Sequence, residues 1–233
     1  MKLSREITLK IHFLLDQCIP PILRDQKWFM WLPFKLLFGN KANAFLDFKQ
    51  HAPFLSPSEL INYYQKVASV CIKRETDLNQ ACVEKIEQQI KGTTILDIAC
   101  GTGFMTKRLA NKKYIVTGAD IILPNLPDFP QITLVQTHIE KTPFIDKQFD
   151  TVICAHTLEH TQHLSQAIYE LRRITKQRLI IIVPKQRPYL YTFDLHLHFF
   201  PYASSLLTAI GSIGNPHTLL EIGGDWFYVE DFQ

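Results

Sequence analysis

From residue 93 onward the sequence alternates short apolar runs with helical stretches, and this rhythm constrains the fold of the 233-residue chain more than any other feature. "TTILDIA", "YIVTGAD" (114–120), "ITLVQT" (132–137), "FDTVICA" (149–155) and "RLIIIVP" (178–184) read as strands. Between them, "FMTKRLANK" reads as a helix, and "LSQAIYELRRIT" (164–175) has helical spacing at Ile168, Leu171 and Ile174. Strands this continuously apolar are buried on both faces, and strands that alternate with helices run parallel. The C-terminal "HTLLEIGGDWFYVED" breaks the rhythm. Two strands flank Gly223-Gly224-Asp225, which predicts an antiparallel hairpin. The expected architecture is a three-layer α/β sandwich with a mostly parallel sheet.

The first part of the chain is different. Residues 1–55 hold 9 of the 27 aromatic residues and 8 Lys/Arg against 4 Asp/Glu. Pro20, Pro21, Pro33 and Pro53 are expected to break this segment into short helices. "SPSE" then predicts a helix start, with Ser56 as N-cap, Pro57 at the first helical position and Glu59 completing a capping box. Helix in two pieces is expected to about Ile90, with Gly92 as a stop. The expected organisation is an N-terminal helical extension or cover over 1–90 and a domain over 91–233. The five cysteines form no Cys-x-x-Cys pair, which favours thiols and a cytoplasmic setting over disulfides. "MKLSREITLKIHFLL" interrupts its apolar residues with charge, unlike a signal peptide. "WFMWLPFKLLFG" (28–39) is too short to span a bilayer and contains Pro33 and Lys35. A soluble protein is expected, with peripheral membrane contact through 1–55 left open. A net charge of +3 is too weak to argue for nucleic acid.

Open α/β sheets bind ligands beyond the carboxyl ends of their strands, and "LDIACGTGF" (96–104) sits at such an end. Gly101 and Gly103 allow a sharp turn and close approach of the backbone to a ligand. A dinucleotide loop would place a third glycine where Thr106 stands. The spacing Asp-x-x-x-Gly-x-Gly, with Asp120 closing the next strand, suits an adenosine better. Asp120 is placed to hold both ribose hydroxyls, and Asp97 to orient the loop and meet a cationic amino group.

"ILDIACGTGFMTKRLA" followed by "VTGADI" resembles motifs I and II of the class I S-adenosylmethionine (SAM)-dependent methyltransferases. "HIEKTPFIDKQFDTVICAHTLEHT" resembles the next two blocks, in the manner of type 11 and ubiquinone-pathway methyltransferases. The resemblance covers about 90–185. It implies a Rossmann-like fold of seven strands in the order 3-2-1-4-5-7-6, with SAM as cofactor and S-adenosylhomocysteine as product. It implies cofactor contacts from Asp97, Ala99, Gly101, Gly103, Asp120, Ile121, His138, Ile139 and Ala155. Three positions depart from the pattern. Ala99 replaces a glycine, His138 replaces an Asp that usually receives the adenine amino group, and Thr142 replaces a Leu. Ile139 would still stack on the adenine.

"HTLEH" (156–160) also has the form of a zinc-hydrolase helix. That reading needs His156, Glu159 and His160 on one helix, whereas "FDTVICA" carries a strand to residue 155. His156 therefore falls at the strand's carboxyl end, and no catalytic zinc is expected. Three readings remain open. His156 or His160 is a general base for an acceptor hydroxyl, since an imidazole titrates near neutral pH. Glu159 and His160 help bind a divalent metal, as the similar Glu-x-x-Glu-His segment does in ubiquinone-pathway O-methyltransferases. Or Glu159 and His160 only cap and orient the loop that follows.

The acceptor side is expected from residues 1–55 and from "RPYLYTFDLHLHFFPY" (187–202), where His196 and His198 share a face if the segment is extended. The Asp/Asn-Pro-Pro-aromatic block of base-modifying methyltransferases is missing after the fourth strand. So is the double-Glu loop of protein arginine methyltransferases. A small apolar or glycosidic acceptor, methylated at oxygen, is the reading that remains. Its rivals are a non-catalytic SAM-binding regulatory or interaction module and an NAD(P)-dependent oxidoreductase, the latter disfavoured by Thr106 and the hairpin.

Overall fold

The computed structural model of the protein describes residues 10–11, 13–67, 70, 74–126, 129, 132–191, 193–211 and 214–233. Residues 1–9, which open the segment read against a signal peptide, and Cys71 lie outside the described residues. The chain divides into two compact units, Met1–Asp77 with Arg187–His198, and Leu78–Gln186 with Phe199–Gln233.

The first unit is helical: α1 (Pro21–Arg24), α2 (Lys27–Phe38), α3 (Ala42–His51) and α4 (Pro57–Val67). The capping box at α4 forms as expected. The Ser56 amide donates to Glu59 Oε2 at 2.8 Å, and the Glu59 amide reaches Ser56 Oγ at 3.4 Å. Pro33 does not break its helix as expected, because α2 runs through it. One lost backbone hydrogen bond is outweighed by the burial of Met30, Phe34 and Phe38, the inward stripe of the helix. Phe38 stacks on Phe45 with ring centroids 3.7 Å apart.

Residues 187–198 belong to this unit through non-local contacts. Phe193 stacks on Phe34 at 4.3 Å, the Arg24 guanidinium lies 5.0 Å over the Tyr189 ring, and Lys49 Nζ donates to the Tyr189 carbonyl. Burial pulls the Lys49 ammonium down to about 8. Leu195 has φ of 56°, a left-handed turn between His196 and the residues before it. The segment is therefore no regular strand, with a bend at Leu197 between His196 and His198, so the extended conformation on which their shared face depended is not present.

The second unit holds α5 (Gln80–Gln89), α6 (Phe104–Asn111), α7 (Leu164–Ile174) and α8 (Ala203–Ile210) around one sheet. Its strands are β1 (Thr94–Ile98), β2 (Ile115–Asp120), β3 (Ile132–Gln136), β4 (Phe149–Ala155), β5 (Thr175–Pro184), β6 (His217–Ile222) and β7 (Asp225–Asp231). The order is 3-2-1-4-5-7-6, as expected. β1 to β5 pair in parallel, and β7 pairs antiparallel with β5 and β6. Gly223 and Gly224 have φ of 57° and 87°, the pair of positive angles that a tight hairpin of this kind requires.

Side chains alternate across the sheet with period two. Leu96, Val152, Cys154, Ile181 and Tyr228 pack with α7 and α8 on one face. Ile95, Ile153, Ile180, Ile182 and Phe227 pack with α5 and α6 on the other. This gives the three expected layers. Cys18, Cys82, Cys100 and Cys154 are free thiols. Among the described residues no helix is long and apolar enough to cross a membrane.

Candidate functional site

The strand register places the candidate residues at one end of the sheet. Ile98 pairs with Ala119 on one side and with Cys154 on the other, so the loops after β1, β2 and β4 emerge together. The β1 loop turns through three left-handed residues, Ala99, Gly101 and Gly103, at φ of 56°, 54° and 73°. The Cys100 amide ties it to the Ala119 carbonyl at 3.1 Å, and the Gly103 amide to the Cys100 carbonyl at 2.8 Å. Gly103 then caps α6. A Cβ built on Gly101 would meet nothing within 4 Å, whereas one on Gly103 would lie 2.9 Å from Leu126. The first glycine faces open space and the second is enclosed.

Two carboxylates support this loop. Asp97 is buried in β1 and accepts from Thr106 Oγ1 at 2.6 Å. Burial pushes its carboxyl up to about 6, against the Thr106 hydrogen bonds and with a further push from the Asp120 charge. Thr106, which sequence reasoning used only to argue against a dinucleotide loop, is the partner that keeps Asp97 in place. Asp120 at the end of β2 accepts from the Gly101 amide at 2.8 Å and the Ile122 amide at 3.0 Å. Burial raises its carboxyl too, against these hydrogen bonds.

Ile121 follows it, half-buried. Beyond β2, the Thr137 amide bonds the Asp120 carbonyl at 3.0 Å, which brings the next loop alongside. His138 is half-buried there and its Nδ1 accepts from the Glu140 amide at 3.4 Å, while Ile139 is buried in the core beside Ala119. Ala155 is half-buried at the end of β4. The residues fit SAM on two counts: open space where a Gly101 Cβ would stand, and two desolvated acids that gain from hydroxyl or ammonium donors.

"HTLEH" forms no continuous helix. β4 ends at Ala155, His156 has φ of 50°, its amide bonds the Ile182 carbonyl at 2.8 Å, and Leu158–His160 is one 3-10 turn. The zinc-hydrolase geometry is thus not formed. The His156 ring instead lies between two fully buried carboxylates, with Nδ1 3.5 Å from Glu159 and Nε2 3.6 Å from Asp225. Burial alone would lower the imidazole. The Asp225 and Glu159 carboxylates more than reverse it and bring the ring to about 10, a cation at neutral pH. Asp225 is held in turn by Asn79 Nδ2 at 2.9 Å. Asn79 also accepts from the Cys82 amide at 2.8 Å as the N-cap of α5. Sequence reasoning took Asp225 only as a hairpin residue. His160 ends the turn, half-buried.

The remaining acids of the motif are structural. Asp150, of the Phe-Asp block, sits at the opposite end of the sheet. It accepts from the Thr93 and Thr94 amides at 3.0 and 3.1 Å, from Thr94 Oγ1 at 2.9 Å and from Gln177 Nε2 at 2.8 Å. The backbone donation from Thr93 leads the effects that hold its carboxyl well below the usual carboxylate range. Gly92, at φ of 70°, leaves room for it, since a Cβ there would lie 2.3 Å from the Asp150 side chain. Glu140 fixes the turn leading into α7 by accepting from the Gln162 and His163 amides at 3.0 and 2.9 Å.

Residues 96–183 match the methyltransferase domain family. The ubiquinone biosynthesis O-methyltransferase of Histophilus somni is 29% identical over 115 residues, 42% of this chain and 48% of that protein. The Rickettsia typhi protein of the same name is 31% identical over 112 residues, 43% and 45%. A ubiquinone/menaquinone biosynthesis C-methyltransferase of Burkholderia orbicola is 33% identical over 99 residues, 36% and 40%. The chain therefore spans about half the length, or less, of these relatives. Among solved structures, a putative methyltransferase from an antibiotic biosynthesis pathway of Anabaena variabilis aligns with a TM-score of 0.53 at 21% identity, covering 64% of this chain and 67% of that one. Residues 96–183 therefore carry a match to the methyltransferase domain, set within a seven-stranded sheet of order 3-2-1-4-5-7-6 whose fold is shared with a solved methyltransferase structure.

Proposed function

We propose that the protein transfers the methyl group of SAM to an oxygen of a small apolar or glycosidic acceptor in the cytoplasm. The observation that carries this reading is the Asp97–Gly101–Asp120 arrangement at the carboxyl ends of β1 and β2. Asp120 receives the ribose hydroxyls, Asp97 faces the amino group through the loop, and Ala99, Gly101 and Gly103 give the backbone close approach. Ile121, His138, Ile139 and Ala155 complete the adenosine side. SAM, when bound, supplies a methyl group on a sulfonium, which transfers by in-line displacement. The chain's part is to align the acceptor and exclude water.

We assign His160, not His156, to receive the acceptor's hydroxyl proton. His156 is already protonated between Glu159 and Asp225, so it has no lone pair to offer at neutral pH. The ubiquinone-pathway names of the relatives support phenolic acceptors as the first class to try, with sugars as the second. The test is transfer of labelled methyl from SAM into a panel of phenols, catechols and glycosides, with mass spectrometry of the product. Labelled O-methyl product supports the reading. Tight SAM binding with no transfer to any acceptor would replace it with a non-catalytic SAM-binding module.

A further inference from the structure

Helix α2 is apolar on both sides. Met30, Phe34 and Phe38 point into the core of the first unit. Trp28, Trp31, Leu32 and Leu36 point the other way and are 69%, 45%, 57% and 79% exposed. At roughly 100° per residue, positions 28, 31, 32, 35 and 36 form one stripe along the helix. Its polar member is Lys35, and it carries no carboxylate. The Lys35 ammonium contacts only a neutral amide, Asn40 Oδ1 at 3.2 Å, among the described residues. Lys27, which precedes the stripe, is already paired with Asp47 at 2.7 Å, and Ile22 of α1 adds a side chain that is 76% exposed. A water-facing helix stripe is ordinarily polar, and a contiguous run of exposed Trp and Leu marks a contact surface.

We propose that this stripe docks the protein on the surface of a bilayer bearing anionic headgroups. The chemistry matches position by position. Indole rings settle at the headgroup level, Leu32 and Leu36 enter the acyl boundary, and Lys35 extends along them to reach phosphate. A helix of 12 residues is too short to span the bilayer, so it lies in the plane of the interface. Charge decides against a second copy of the chain as the occupant. A two-fold contact over the stripe would bring the Lys35 charge of each copy together, with no carboxylate among the stripe positions to answer it and Asp47 beside it already taken by Lys27. This inference does not rest on the methyl-transfer reading.

The test is flotation of the full chain with vesicles of phosphatidylcholine, with and without phosphatidylglycerol, read together with tryptophan emission. The protein is expected to float with the anionic vesicles and its emission to shift to the blue. The triple variant Trp28→Ser/Leu32→Ser/Leu36→Ser should lose at least about tenfold in partitioning, and Lys35→Glu several-fold on the anionic vesicles. S-adenosylhomocysteine affinity in the same variants should stay unchanged, which separates docking from cofactor binding. Should the triple variant fail to fold, Leu36→Ser and Lys35→Glu alone must weaken flotation in the same direction. Failure of the wild-type chain to float overturns the proposal, as does equal binding to both vesicle types or a variant that floats like the wild type. A concentration-dependent dimer abolished by the triple variant, with no vesicle binding, assigns the stripe to a second copy and overturns it too.

Discussion

The two ends of the sheet treat the same side chain in opposite ways. At the amino end, Asp150 is surrounded by donors from Thr93, Thr94 and Gln177, and its carboxyl is held far down. At the carboxyl end, Asp97 depends on Thr106, Asp120 on two loop amides, and both carboxyls are raised by burial. A carboxylate saturated by the protein is a structural tie with nothing left to offer. A desolvated one with fewer donors gains free energy when a ligand brings hydroxyls or an ammonium. Both kinds of Asp belong to the sequence blocks that resemble the methyltransferase motifs, and the donors around them are what distinguishes one from the other.

The largest expected effect lies beside the site. His156→Ala leaves Glu159 and Asp225 facing each other without the cation between them, and should cost about 3–5 kcal/mol of stability, read by urea unfolding. The sign of its pH dependence follows from a folded value near 10 against about 6.5 in the unfolded chain. The contribution is fully present below pH of about 6.5 and is lost as pH rises through about 10. The midpoint of wild-type unfolding should fall over that window, and the fall should shrink in His156→Gln.

Asp150→Ala should cost about 2–4 kcal/mol, because two backbone amides and two side chains lose a charged acceptor at once. Its pH dependence has the opposite sign. The depressed carboxyl contributes stability above the unfolded value of about 3.9, and loses it as pH falls below that value. S-adenosylhomocysteine affinity of the folded variant should be unchanged. A loss of affinity there, with stability intact, would erase the contrast between the two ends.

Gly101→Val is expected to weaken both properties. A left-handed φ costs a residue with a Cβ roughly 1–2 kcal/mol of stability, more when it is β-branched, and the added methyls fill the open space beside the loop. Calorimetry should show a greater loss of S-adenosylhomocysteine affinity than thermal unfolding shows of stability. The reverse order would mean that the space is not where the cofactor lies.

The sheet was legible because its signal is local. Each strand announces itself as an apolar run between turn residues, and "SPSE" contains its whole capping box within four positions. What escaped notice depends on partners far along the chain. His156 is turned from a candidate base into a cation by Asp225, 69 positions away. Residues 187–198 join the helical unit through Phe34, Lys49 and Arg24. Pro33 stays inside α2 because burial of its neighbours outweighs a local rule that reads correctly at Pro20 and Pro21. Thr106 was visible as a departure from a dinucleotide loop, but its bond to Asp97 was not.

Whether the carboxyl-end acids serve a ligand is decided by calorimetric titration of S-adenosylhomocysteine into the wild-type chain and Asp120→Ala, with unfolding followed on both. The wild type should bind, and the variant should lose about 1–3 kcal/mol of affinity with its unfolding midpoint shifted little. Equal affinity in the two folded proteins would contradict a ligand role for these acids.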